Sequence, residues 1–130
     1  MSPYDTRALN RITLPRIEDA YTQIIDKLEQ EDHEAVVVEY SVFKNREIGF
    51  MNNADVVIAI LAKLDTRIER AVAAGWDEDD VRRRIARQIT DAARIDEADV
   101  VFNNDGTPEE LRNEVTLWWH DYKARGFKLG

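Results

Sequence analysis

Three short runs rich in β-branched residues, at 35–40 (AlaValValValGluTyr), 55–62 (AspValValIleAlaIleLeuAla) and 99–103 (AspValValPheAsn), are separated by long amphipathic stretches. Runs that are apolar without alternation fit strands covered on both faces, which is the environment of a parallel sheet. Parallel strands need crossover connections, usually helical and right-handed. The pattern therefore predicts an α/β fold: three layers, with a mainly parallel sheet of three strands flanked by helices.

The helices have readable boundaries. From Pro15 the residues Ile17, Ala20, Tyr21, Ile24, Ile25 and Leu28 recur at steps of three and four, and Pro15 suits a first helical turn. Residues 41–53 carry Phe43, Ile48, Phe50 and Met51 with no clean period. A helix over 64–74 stops at Gly75, and Asp77 caps the next, with Glu78, Asp79 and Asp80 complementing its dipole. There Val81, Ile85, Ile89 and Ala92 form one apolar stripe, so the spacing predicts one helix through Gln88 and Arg94, its polar face bearing Arg82, Arg83, Arg84 and Arg87. Thr107-Pro-Glu-Glu110 combines a Thr cap, a proline at the first helical position and a reciprocal glutamate. The helix it opens is expected to bury Leu111, Val115, Trp118 and Tyr122 and to end near Gly126.

A length of 130 residues with 44% hydrophobic content suits one domain spanning 1–130. The net charge of −8 argues against nucleic acid or an anionic membrane as partner. A negatively charged ligand would need a local group of arginines. With no cysteine there are no disulfides or thiolate metal sites, as in a reducing cytoplasm. No apolar run is long enough to cross a bilayer, so a soluble cytoplasmic protein is expected. The glycines, at 49, 75, 106, 126 and 130, form no G-x-x-x-x-G-K-[ST] phosphate loop.

The order Leu9-Asn10-x-x-x-Leu14-Pro15-x-Ile17, a β-branched strand, AspValValIleAlaIleLeu, Arg70, ArgIleAlaArgGln at 84–88, Arg94, AlaAspValValPheAsnAsn and GlyThrProGluGluLeu resembles dephospho-CoA kinases. The likeness runs from about Leu9 to Tyr122 and covers the later two-thirds of such an enzyme. It implies a P-loop nucleotide-kinase core with a mobile lid, transferring the γ-phosphoryl of ATP, with magnesium, to the 3′-hydroxyl of dephospho-CoA. Relative to the family, the P-loop segment and the aspartate acting on the attacking hydroxyl have no counterpart. His-Pro appears as Leu14-Pro15, ProLeuLeuPheGlu as TyrSerValPheLys at 40–44, which puts Lys44 in place of a glutamate, and the lid Arg-Asp pair as Ala74 with a deletion.

By resemblance, Arg70, Arg84 and Arg94 contact ATP phosphates, and Asn104, Gly106 and Thr107 border the adenine. The alternatives are helix-solvating arginines and a plain strand-to-helix turn. No residue is assigned a catalytic or metal-binding role. His33 and His120 have no partner at metal-ligand spacing, and Trp118, Trp119 and Tyr122 are read as core. The expectation is a dephospho-CoA-kinase-like chain, inactive or weak in isolation, with nucleotide or coenzyme A precursor as ligand. The rival is a non-catalytic interaction or regulatory module, homodimeric or completed by a P-loop-bearing chain at the sheet edge that the absent strand would leave uncovered.

Overall fold

A computed structural model describes residues 3–40 and 49–130 and divides into two units, Met1–Ala54 and Asp55–Gly130. Phe43, Lys44 and Ile48, singled out in the sequence, lie outside the described residues.

In the first unit a single helix, α1, spans Pro3–Glu29. It runs straight through Pro15, where the spacing predicts a start. The ring removes the N–H that would bond the carbonyl of Arg11, but Arg11 is exposed and water can satisfy that group. Of the expected apolar stripe, Tyr21, Ile25 and Leu28 are half-buried while Ile17 and Ile24 are exposed. Tyr21 stacks on Phe50, at 4.9 Å between centroids, and meets Tyr40 edge-on at 5.4 Å. Its hydroxyl donates to the carbonyl of Glu39 at 2.9 Å. Burial, followed by the nearby Glu18 carboxylate, raises the Tyr40 phenol above its ordinary pKa. Phe50 belongs to a 3-10 turn over Gly49–Asn53 and is buried.

Residues 35–40, expected to be a buried strand, form no strand. Exposure alternates along them, and Val37 is 92% exposed. β-propensity suits a residue to a pleated surface, but a ladder needs a partner, and none pairs here among the described residues.

The second unit holds β1 (Ile58–Leu61), α2 (Leu64–Ala73), α3 (Glu78–Arg87), α4 (Asp91–Glu97), β2 (Val100–Asn103) and α5 (Pro108–Ala124). The strands form a two-stranded parallel sheet in which Ile58 faces Val100 and Leu61 faces Asn103. This is an α/β fold with helices against a parallel sheet, as expected, with two strands described rather than three. Val57, Ala59, Leu61, Ile68, Val81, Phe102 and Tyr122 form its buried apolar core. Helix α5 docks through Trp118, which meets Phe102 edge-on at 6.2 Å and stacks on Tyr122 at 4.9 Å. Trp118 and Trp119 are half-buried, consistent with packing.

The single helix expected through Gln88 is two. Gln88 leaves the helical region at ψ 163°, and Thr90 starts α4 by accepting from the Ala93 N–H at 3.1 Å. A threonine capping bond is worth about 1 kcal/mol and supplies a new start that the apolar period conceals. The other caps match expectation. Asp77 accepts from the Asp80 N–H at 3.1 Å, and Thr107 from the Glu110 N–H at 3.1 Å. The Glu110 carboxylate accepts from the Thr107 hydroxyl at 3.3 Å rather than from its backbone.

Helices α2 and α5 close in the same way. Gly75, at φ 99°, donates to the Val72 carbonyl while Trp76 reaches back to that of Ala71. Gly126, at φ 71°, donates to Lys123 while Phe127 bonds Tyr122. Each is a Schellman motif in which the residue after glycine folds back onto the helix. We expect Gly75→Ala to cost about 1–2 kcal/mol, since an L side chain is strained at positive φ, as read by urea unfolding. Pro15→Ala should raise helicity in circular dichroism by restoring the bond that proline removes.

Candidate functional site

The six residues carried over by resemblance lie in two clusters that share α2. One is built around Arg70. Its guanidinium donates through Nη1 to the Asn104 carbonyl at 2.6 Å and through Nη2 to the Gly106 carbonyl at 3.0 Å. The same loop is tied to the end of β1: the Asn104 N–H reaches the Leu61 carbonyl at 2.6 Å, and Asp105 accepts from the Lys63 N–H at 2.7 Å. Thr107 then caps α5. A Cβ on Gly106 would overlap the Glu110 carboxylate, so the bare backbone lets that side chain fold over the loop. Arg70 is thus engaged by main-chain oxygens.

The other cluster lies where α2 meets α3 and α4. Asp91 accepts from Arg67 Nη2 at 3.4 Å and from Arg94 Nη1 at 3.3 Å, and Arg94 Nη2 donates to Gln88 Oε1 at 3.1 Å. The α3–α4 break places Gln88 and Asp91 together. Arg84 sits over the Trp76 ring at 4.6 Å, close enough for a cation–π contact, and among the described residues it has no carboxylate partner. Its neighbours are already paired, Arg82 with Glu78 at 3.2 Å and Arg83 with Asp80. The Asp80 bond is also the main cause raising the Arg83 pKa.

Between α2 and α3 an open cleft of about 260 Å³ is lined by Arg67, Trp76, Arg84 and Gln88, with Ala71, Val81 and Ile85 behind. Among the described residues, one buried side-chain polar atom has no hydrogen-bond partner: Nε of Arg67. Sequence reasoning missed Arg67 and Trp76. The signals for them were the i, i+3 spacing of Arg67 and Arg70 on one helix face and the position of Trp76 directly after the helix-closing Gly75.

Neither histidine joins the clusters. His33 lies 2.7 Å from the Glu31 carboxylate, and His120 is exposed. The described residues hold no group of three or more His, Asp or Glu able to bind a metal, and no helix among them is long and apolar enough to cross a membrane.

A family model for dephospho-CoA kinase matches residues 1–110, most of the chain. The chain belongs to the dephospho-CoA kinase family. It is 40% identical over 119 residues to a dephospho-CoA kinase of Corynebacterium jeikeium, covering 91% of this chain and 60% of that protein. A Corynebacterium glutamicum dephospho-CoA kinase is 38% identical over 89% of the chain and 58% of its own length. One from Thermobifida fusca is 31% identical over 90% of the chain and 57% of its length. The chain thus spans about three-fifths of the length of these curated relatives. No solved structure gives a significant match.

If the Arg70 fork holds the loop, its loss should be felt there first. Arg70→Ala is expected to cost about 1–3 kcal/mol, because it removes charge-assisted bonds to two carbonyls. Amide exchange at Asp105–Thr107 should accelerate more than at α3, and Arg70→Lys, lacking the fork, should restore only part of the protection.

Proposed function

We propose that this chain supplies the lid and adenine side of an ATP-dependent dephospho-CoA kinase, and that on its own it transfers phosphoryl groups weakly or not at all. The family match over residues 1–110 carries this reading. It is supported by the two clusters, which gather the six residues around α2.

In this reading Arg84 and Arg94 meet ATP phosphates, for which a guanidinium offers a bidentate grip. Arg84 is the better placed, since no carboxylate competes for it, whereas Arg94 is partly held by Asp91 and Gln88. Asn104, Gly106 and Thr107 border the adenine, and Arg70 shapes that border by holding two of its carbonyls. Magnesium would arrive with the nucleotide, coordinated chiefly by phosphate oxygens. The reaction is the transfer of the γ-phosphoryl to the 3′-hydroxyl of dephospho-CoA, in the cytoplasm.

Phosphoryl transfer depends on cations and N–H donors arranged around the migrating group. The 130 residues contain no P-loop pattern to supply most of that field. A single arginine finger is worth roughly 10³–10⁵ in rate, so lacking a phosphate cradle and its lysine should cost more.

The second reading, a non-catalytic module or a subunit completed by a P-loop-bearing chain or a second copy, is favoured by the sheet. Ile58 and Ile60 on β1 are 42% and 55% exposed, and among the described residues β1 pairs only with β2. Apolar side chains beside an unpaired edge favour association.

The purified chain, given ATP, magnesium and dephospho-CoA, should form no coenzyme A above background by chromatography, while calorimetry detects weak ATP binding. Efficient turnover would refute the predicted inactivity. Absence of heat from both ligands, with a dimeric mass by light scattering, would replace the kinase reading with the interaction module.

A further inference from the structure

We propose that the free edge of β1 pairs with the same edge of a second copy of this chain, antiparallel about a twofold axis at Ala59. The proposal rests on the second reading above, in which that edge is a contact surface, and names its occupant and register.

The ladder to β2 decides which backbone groups are free. The Val57 and Leu61 carbonyls accept from the Val100 and Asn104 N–H groups. Backbone direction alternates along a strand, so Val57, Ala59 and Leu61 face β2, while Val56, Ile58, Ile60 and Ala62 direct their N–H and C=O groups away from it. The side chains of Ile58 and Ile60 share one face of the sheet and are exposed, whereas their ladder partners on that face, Val100 and Phe102, are half-buried and buried. Helix α5 covers the β2 half of this face through Trp118 on Phe102 and leaves the β1 half bare. Nor is the edge guarded: residues 56–62 include no proline, glycine or charge, the means by which an edge strand deters pairing.

Charge at the two ends of the run selects the partner. Asp55 precedes it and Lys63 follows it, both exposed, and the backbone is still extended at Lys63, with φ −57° and ψ 147°. A strand carrying one charge of each sign at its ends complements itself when reversed. Antiparallel pairing sets residues with outward-facing backbone groups opposite one another, so the axis passes through a residue position rather than between two. With Ala59 on the axis, Ile58 of one copy faces Ile60 of the other, Val56 faces Ala62, and Asp55 faces Lys63. An axis at Ile60 would set Asp55 toward Asp65, and one at Ile58 would set it against Leu61, so charge favours Ala59. The isoleucines of both copies then form one continuous apolar strip, and the contact closes because each copy uses its β1 edge once.

The test is the mass of the purified chain by light scattering across a concentration series, without nucleotide. It should rise from one copy to two and stop there. Ile60→Lys, at an exposed position, should leave the circular dichroism unchanged and hold the chain monomeric. Asp55→Lys should weaken the dimer roughly tenfold by setting like charges together at both ends of the interface. Adding Lys63→Asp to the same chain should restore it, which a loss of packing would not allow. The chain has no cysteine, so register can be read directly. Asp55→Cys mixed with Lys63→Cys should form a disulfide on oxidation, while neither variant cross-links with itself, since like positions lie about 26 Å apart at roughly 3.3 Å per residue. The proposal is overturned by a monomer through the millimolar range, which leaves the edge to a different chain, by a mass that grows beyond two copies, or by a charge exchange that restores nothing. A dimer abolished by Ile60→Lys but lacking the mixed cross-link would keep the edge as a contact surface and overturn this register. No step reads turnover, so the outcome is separate from that of the kinase reading.

Discussion

A parallel ladder of two four-residue strands is too small to persist unaided, and what secures it in the second unit is side-chain bonding to the backbone at both of its ends. At the N-terminal end the Asp99 carboxylate accepts the Val57 N–H at 2.8 Å while the Asp99 N–H reaches back to the Val57 carbonyl at 2.8 Å. At the C-terminal end Asp105 and the Arg70 fork bind the loop after β2 to the start and the last turn of α2. The second clamp is also where ligands favour open α/β sheets, outside the carboxyl ends of the strands. Structural bracing and candidate site therefore use the same atoms.

This overlap sorts the arginines by role. Arg82 and Arg83 answer the acidic first turn of α3, and exposed pairs of this kind contribute little to stability. Arg70 is occupied by carbonyls. Arg67 and Arg94 share one carboxylate, and Arg84 rests on an aromatic face. Net charge argues against nucleic acid and anionic membranes as partners, and says nothing of where individual arginines gather.

Much of the local structure was legible because it depends on neighbours in sequence. Asp77, Thr107-Pro108 and the glycines at 75 and 126 place helix ends within a residue or two of those observed. The misreadings are equally physical. The apolar period across Val81, Ile85, Ile89 and Ala92 hid the Thr90 cap, because periodicity is blind to a change of axis. Pro15 was read as a start, yet the exposed helix α1 tolerates it. Val36, Val37 and Val38 have strand composition without a ladder, because strand formation needs a partner that composition does not supply.

The sequence by itself determined the family, the α/β class and the helix caps, since order, spacing and capping act over a few residues. Only the tertiary structure decided what each arginine does. Arg70 and Asn104, separated by 34 positions, meet because a parallel crossover returns the chain to the same end of the sheet, and Arg67 and Asp91, separated by 24, meet between two helices of that crossover. No local rule tells a guanidinium bound to a carbonyl from one left facing an open cleft.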